Sequence, residues 1–159
     1  MTDSIIKTVT VPLSPERAFR LFTEEISDWW PLDTYSLSAE DENVAKSVNI
    51  TPKIGGDVTE TRHDGSTALW GRVTEWEPGK RFGMSWHLGH PDTESTEVEV
   101  SFDVIADGTR VTLVHSGWQD LGKAAVAMRK GYEAGWQGLV ALRYGAACQT
   151  CFRRGLIVV

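Results

Sequence analysis

The spacing of hydrophobic residues changes along the chain, from one strand and two helices to a long run of strands and back to helix. Residues 5–11, IIKTVTV, alternate and are rich in β-branched residues, which is typical of a strand. A helix is expected next, because Ser14 is a favourable N-cap and Pro15 suits the first helical position. A second short helix is expected over residues 24–30, and Pro31 is expected to end it.

From residue 44 onward the hydrophobic pattern has a period of two. Six further strands are predicted there, in VAKSVNI, GGDVTETRH, TALWGRVTEW, RFGMSWHL, TEVEVSFDVI and TRVTLVHSGW. Tight turns join them, so neighbouring strands are expected to pair antiparallel. In TEVEVSFDVI the apolar residues fall on one face and the polar ones on the other, which predicts a sheet covered on one face only. The apolar residues of this strand are Val98, Val100, Phe102 and Val104.

A helical period returns over about 121–148 and supplies the cover of the sheet. One stripe of this helix is expected to face the sheet. It consists of Ala125, Met128, Tyr132, Trp136, Leu139 and Arg143. The order of elements therefore predicts an α+β protein with a curved antiparallel sheet of about seven strands, two short helices and a long C-terminal helix.

Length and charge restrict the function. The 159 residues suit one domain, expected over 1–148, with 149–159 as a C-terminal tail of unknown order. The net charge is −6 and the only basic cluster is Arg153-Arg154, which argues against binding to nucleic acid or an anionic membrane. No apolar run has the length of a membrane span, and the N-terminus lacks the pattern of a signal peptide, so a cytoplasmic location is expected.

Seven tryptophans are many for this length, and several are expected to line a groove or cavity. Trp29 and Trp30 are adjacent, so their side chains diverge and cannot fill the same hole in one core. We expect Trp29 to pin the second short helix to the sheet and Trp30 to face the mouth of a pocket. The alternative is that both pack on opposite sides of an ordinary helix end.

Five segments resemble, in order, the successive blocks of the family of heat-shock-protein-90 ATPase activator homologues, the Aha-type C-terminal domain. They are SPERAFRLFTEEISDWWP, GGDVTETRHDG, WGRVTEWEPGKRFGMSW, GTRVTLVHSGW and GYEAGWQGLVAL, and they cover roughly residues 5–147. The resemblance implies the START-like (SRPBCC, birch-pollen-allergen-like) helix-grip fold, in which the long C-terminal helix lies over the concave face of the sheet. That fold hosts many roles, so the resemblance alone assigns none.

In this superfamily the space between the long helix and the sheet is typically an apolar pocket for lipids, polyketides or hormones. We therefore expect the chain to bind a small hydrophobic or aromatic ligand there, with neither metal nor cofactor. The residues expected to line the cavity are Trp30, Trp70, Met84, Trp86, Phe102, His115, Trp118, Met128, Tyr132 and Trp136. Core filling is the alternative for Trp86, Phe102 and Trp136.

Two other functions stay open. One is an enzyme that acts on such a ligand in the manner of polyketide cyclases, and the other is a protein-interaction or co-chaperone role. The residues considered for acid–base catalysis form no recognisable constellation, so catalytic residues are left unassigned. They are Glu60, Arg62, Arg72, His115 and Tyr132.

His115 and the two cysteines each allow a plain structural interpretation beside a functional one. His115 is expected to point inward, either as a core histidine with satisfied hydrogen bonds or as a polar contact for a ligand. Cys148 and Cys151 have the C-x-x-C spacing of redox or metal sites, but the βαβ context of a redox motif and two further zinc ligands are missing. Two thiols on a late helix or tail are the simpler interpretation.

Overall fold

The computed structural model describes residues 4–87 and 95–157, and within them seven strands form one antiparallel sheet in the order β1-β7-β6-β5-β4-β3-β2. The tight turn expected between the segments RFGMSWHL and TEVEVSFDVI, in GHPDT, lies outside these residues. All seven strands match the segments that the alternating pattern predicts, to within one residue at Glu77 and at Gly108. They are β1 Ile5–Val11, β2 Ser47–Ile50, β3 Asp57–Thr61, β4 Thr67–Glu77, β5 Arg81–Trp86, β6 Thr96–Ile105 and β7 Gly108–Ser116.

The helices at the start of the chain are short. Helix α1 spans Pro15–Phe22, and the Ser14 side chain accepts a hydrogen bond from the backbone N–H of Arg17, as an N-cap does. The helix expected over 24–30 is only a 3₁₀ turn, Ile26–Asp28. A further four-residue helix, α2 (Leu37–Glu40), was not predicted from the sequence.

The long C-terminal helix is confirmed, but it changes register partway along. A 3₁₀ segment, Trp118–Ala124, leads into α3 (Ala125–Trp136), a π-helical segment (Gln137–Tyr144) and α4 (Gly145–Ile157). The backbone is helical at both junctions, so the last three segments form one helix. It continues beyond residue 148 into the stretch expected as a tail.

The π segment corrects the stripe of residues that faces the sheet. Its wider turn rotates the following side chains relative to an α-helical pattern. Arg143, expected to face the sheet, is exposed, whereas Val140, Tyr144 and Cys148 are buried. The first part of the stripe is correct, because Ala125 and Trp136 are buried and Met128 and Tyr132 are half-buried.

The sheet has its helices on one face, and this arrangement confirms the expected α+β helix-grip fold. Along β6, Val98, Val100 and Phe102 are buried, but Val104 is 75% exposed. The expectation for Val104 was wrong because it pairs with Thr109 beside the turn between β6 and β7, where the helical cover does not reach. The alternation along a strand therefore predicts burial only where a second layer of structure covers that face of the sheet.

One group of aromatic rings packs between α1, the sheet and the long helix. Phe22 is central to it, with ring centroids 5.1 Å from Trp29, 6.2 Å from Phe102 and 5.0 Å from Tyr144. Phe19 completes the group, 5.3 Å from Phe102. We call these five residues the α1 cluster.

Candidate functional site

A second aromatic group, the tryptophan cluster, consists of Trp30, Trp70, Trp86 and Trp136. The first follows the 3₁₀ turn, the next two lie on β4 and β5, and the last ends α3. The ring centroid of Trp30 lies 5.4 Å from that of Trp70 and 6.0 Å from those of Trp86 and Trp136. All four side chains are buried, so four distant parts of the sequence meet at one point between sheet and helix.

The adjacent tryptophans belong to different clusters. Trp29 donates a hydrogen bond from Nε1 to the carbonyl oxygen of Leu21, at 2.9 Å, and its ring contacts Phe22 and Tyr144. It thus ties the 3₁₀ turn to α1. Trp30 instead donates to the carbonyl oxygen of Tyr35, at 2.7 Å, and joins the tryptophan cluster. Both rings are buried, and their centroids are 5.8 Å apart.

His115 lies fully buried beside this cluster with both ring nitrogens in hydrogen bonds. Trp136 Nε1 donates to Nδ1 at 2.9 Å, so the hydrogen of the neutral ring is on Nε2 and is donated to Thr96 Oγ1 at 2.6 Å. The Thr96 hydroxyl then donates to the carbonyl oxygen of Trp86 at 3.2 Å. Burial lowers the pKa of His115 to about 3, which keeps the ring neutral. No polar atom of this imidazole is free to bind a ligand.

Tyr132 forms the half-buried margin of the tryptophan cluster. Its ring lies 6.3 Å from that of Trp86, and its hydroxyl oxygen accepts a hydrogen bond from Trp86 Nε1 at 2.9 Å. Burial raises the pKa of Tyr132, the bond from Trp86 opposes that rise, and the charge of Glu40 adds to it. Met128, also half-buried, precedes Tyr132 by one helical turn and packs against the core.

The segment around α2, residues 31–43, is held beside this margin by a buried carboxylate. Glu60 Oε1 accepts from the backbone N–H of Leu37 at 2.7 Å and from Trp70 Nε1 at 3.0 Å. Its Oε2 accepts from the backbone N–H and the hydroxyl of Ser38, at 3.0 and 2.8 Å. Burial alone would raise the pKa of Glu60, but these four hydrogen bonds hold it below its ordinary value.

Sequence reasoning did not recognise α2 in this segment and assigned no role to Tyr35 or Glu40. Tyr35 is 40% exposed and lies beside Gly135 of α3. Glu40 ends α2, and its charge adds to the rise in the pKa of Tyr132 that burial causes. One signal was available, because Ser36 precedes Leu-Ser-Ala-Glu and caps α2 through its hydroxyl.

The structure places the other expected cavity residues around the tryptophan cluster, with one exception. Trp118 stacks 4.3 Å from His115 and donates to its carbonyl oxygen at 2.9 Å. Met84 is buried on β5, paired in register with Val98. Phe102 is the exception, since its ring contacts belong to the α1 cluster.

The remaining candidates are the two cysteines of the C-x-x-C spacing, which both lie on α4. Burial raises the pKa of Cys148 to about 12, and both Cys148 and Cys151 are free thiols on α4. Within residues 4–87 and 95–157, no three His, Cys, Asp or Glu side chains are grouped as metal ligands would be. No helix in this part of the chain is long and apolar enough to span a membrane.

Comparison with protein families gives a direct match. The sequence profile of the activator of Hsp90 ATPase homolog 1-like proteins matches residues 12–143, which is well over half of the chain. The chain belongs to this family. No curated protein sequence matches this Aha1-like chain.

Solved structures similar to this Aha1-like protein include a synthase. The anthrahydroquino-γ-pyrone synthase Txn09 is 29% identical, with 90% of this chain and 95% of that chain covered and a TM-score of 0.62. A protein from Mesorhizobium loti is 18% identical, with 96% and 98% covered and a TM-score of 0.64. The Aha1 dimer from Colwellia psychrerythraea is 17% identical, with 90% and 98% covered and a TM-score of 0.58. The last two likenesses establish the shared fold.

Proposed function

We propose that this Aha1-like protein binds a small hydrophobic or aromatic molecule between the sheet and the C-terminal helix. The observation that supports the proposal is the tryptophan cluster, which offers four aromatic rings in one place and a half-buried margin at Tyr132 and Met128. Small-molecule sites are typically apolar and aromatic, with a few polar groups that orient the ligand. The proposed site contains the cavity residues expected from the sequence except Phe102, whose ring contacts lie in the α1 cluster.

The packing of the rings determines where a ligand enters. Because the four tryptophans are in contact and buried, an aromatic molecule must reach them from the margin formed by Met128 and Tyr132. The segment 31–43 lies beside this margin, through Tyr35 and Glu40. Binding therefore requires movement of this segment, of Tyr132, or of both.

The 29% identity to a synthase favours a second candidate, an enzyme that acts on an aromatic ligand in the same place. Tyr132 is the titratable side chain at the margin of the tryptophan cluster that is both half-buried and incompletely hydrogen-bonded. Glu60 and His115 use their polar atoms within the protein. Chemical conversion of a bound compound by the protein would favour the enzyme over a protein that only binds the ligand.

A thermal-shift screen of apolar and aromatic compounds, followed by native mass spectrometry, tests the proposal. We expect at least one aromatic compound to raise the melting temperature and to be retained as a one-to-one complex. Val104→Ser is the matched control, because this exposed valine lies far along the sheet and its loss should leave binding unchanged. If no compound binds, and the protein instead stimulates a chaperone ATPase, a co-chaperone role replaces ligand binding.

A further inference from the structure

The polar hydrogens of the four clustered tryptophans, His115 and Tyr132 are all donated within the protein, except one. The four indole N–H groups are donated to Tyr35 O, Glu60 Oε1, Tyr132 Oη and His115 Nδ1. The remaining hydrogen is that of the Tyr132 hydroxyl, for which the described residues provide no acceptor. An unused donor at the edge of an aromatic cluster is a ready contact for a ligand.

The Tyr132 hydroxyl is held in a defined position. Its oxygen accepts from Trp86 Nε1, so its own hydrogen must point away from that indole. The ring is further fixed by Trp118 and His115, at centroid distances of 5.7 and 5.2 Å. The side chain is half-buried, so a ligand that displaces the segment 31–43 gains the hydroxyl as a contact while its apolar part meets the rings.

The charge near this hydroxyl determines which acceptor suits it. Glu40 ends α2 in the segment beside this margin, and its charge adds to the rise in the pKa of Tyr132 that burial causes, so its carboxylate repels an anion there. A carboxylate or phenolate ligand would therefore lose part of its gain from the hydrogen bond. A neutral carbonyl oxygen accepts the hydrogen without that repulsion.

We propose that the site selects aromatic molecules that carry a neutral carbonyl oxygen, which accepts a hydrogen bond from the hydroxyl of Tyr132. The inference rests on the proposed ligand-binding function and adds the chemical class of the ligand. It makes Tyr132, rather than His115, the specificity-determining polar contact. The apolar part of the ligand lies against Met128 and the edge of the tryptophan cluster.

Three probes of similar shape test this selection: 2-acetylnaphthalene, 2-ethylnaphthalene and 2-naphthoate. The wild-type protein should bind the ketone about fivefold to tenfold more tightly than the hydrocarbon, the range expected for one neutral hydrogen bond. Tyr132→Phe should remove this preference, so that the ketone and the hydrocarbon bind equally tightly to the variant. The carboxylate should bind more weakly than the ketone, and Glu40→Gln should narrow that difference.

Failure of the inference and failure of the proposed function give different results. Equal binding of ketone and hydrocarbon by the wild type, or an equal loss of both in Tyr132→Phe, overturns the assigned role of Tyr132 but keeps an apolar site. No binding of any probe overturns the proposed function itself.

A second measurement covers the case in which Tyr132→Phe does not fold. The infrared carbonyl stretch of ¹³C-labelled 2-acetylnaphthalene, bound to the wild type, should lie below its value in hexane, because hydrogen bonding weakens the C=O bond. An unshifted band would contradict the inference.

Discussion

In the α1 cluster, the polar atoms of the aromatic residues donate to backbone carbonyls, from Trp29 to Leu21 and from Tyr144 to Ala18. In the tryptophan cluster, most of them bond to other side chains. Trp136 donates to His115, Trp86 to Tyr132 and Trp70 to Glu60. Both clusters are buried, yet only the second has a half-buried margin with a spare hydroxyl hydrogen among the residues described.

This difference separates a structural core from a candidate binding site. Bonds to backbone carbonyls fasten one element to another, and Tyr144 thereby holds the long helix to α1. Bonds between side chains depend on each partner's orientation, and Tyr132 is bonded in this way to Trp86, whose ring centroid lies 5.8 Å from that of Trp136. The two clusters are equally buried but differ in how their polar atoms are bonded.

The largest expected effect is loss of a ring from either cluster. Trp136→Ala and Phe22→Ala should each lower the free energy of unfolding by about 3–5 kcal/mol, because both rings are close-packed core. Denaturant unfolding measures both, and Leu142→Ala, on the exposed side of the helix, is the control, expected to change stability by less than about 0.5 kcal/mol. A loss well below 3 kcal/mol at Trp136 alone would mean that water already reaches the tryptophan cluster.

His115 should make stability depend on pH in a way that the α1 cluster does not. Its pKa is about 3 when folded and about 6.5 when unfolded, so the unfolded state takes up a proton first as the pH falls. As the pH is lowered from about 6.5 to about 3, His115 should thus decrease the free energy of unfolding by about 1.4 kcal/mol per pH unit.

A variant without the imidazole isolates this contribution. His115→Phe should lose about 1–3 kcal/mol at pH 7, because Trp136 and Thr96 lose a partner, but its stability should fall less steeply between pH 6.5 and 5. Equal slopes in the variant and the wild type would show that His115 is not a buried neutral group.

A smaller effect is expected at Glu60, which holds the segment 31–43. Glu60→Gln should lose about 1–3 kcal/mol at pH 7, because an amide cannot accept all four hydrogen bonds. Since the folded pKa is lowered, the wild-type advantage is present above about pH 4.3 and disappears as the pH falls through the folded value. Thermal unfolding at several pH values measures this, with the exposed Glu24→Gln as control. Parallel curves for Glu60→Gln and the wild type would contradict the assignment.

The sheet and the long helix could be predicted because their patterns are long. The ten residues of β6 alternate with a period of two, which is enough to predict both a strand and the face that is buried. The exception is Val104, because no helix covers the sheet there. The helical stripe was correct as far as Trp136 and failed at Arg143, because sequence spacing does not reveal where the helix widens into a π segment. Four residues of α2 carry too short a pattern to be recognised.

The candidate site was harder to predict because contacts between distant residues define it. Sequence spacing placed His115 inside the protein, but not between Trp136 and Thr96, which use up its nitrogens. Glu60 was considered for catalysis, whereas its partners on α2 make it an anchor. The alternation along β6 correctly predicted that the Phe102 side chain points into the protein. It does not predict which side chains of other elements Phe102 contacts there.

The most direct test of the account is a ¹H–¹⁵N spectrum of the seven tryptophan indole N–H groups, assigned by single Trp→Phe substitutions, during titration with 2-acetylnaphthalene. The account predicts the largest shift at Trp86, whose N–H bonds to Tyr132, and smaller shifts at Trp30, Trp70 and Trp136. Trp29 in the α1 cluster and Trp76, which contacts Phe19, should not move. Shifts confined to Trp29 and Trp76, or no shift at saturating ketone, would contradict the claim that the tryptophan cluster is the binding site.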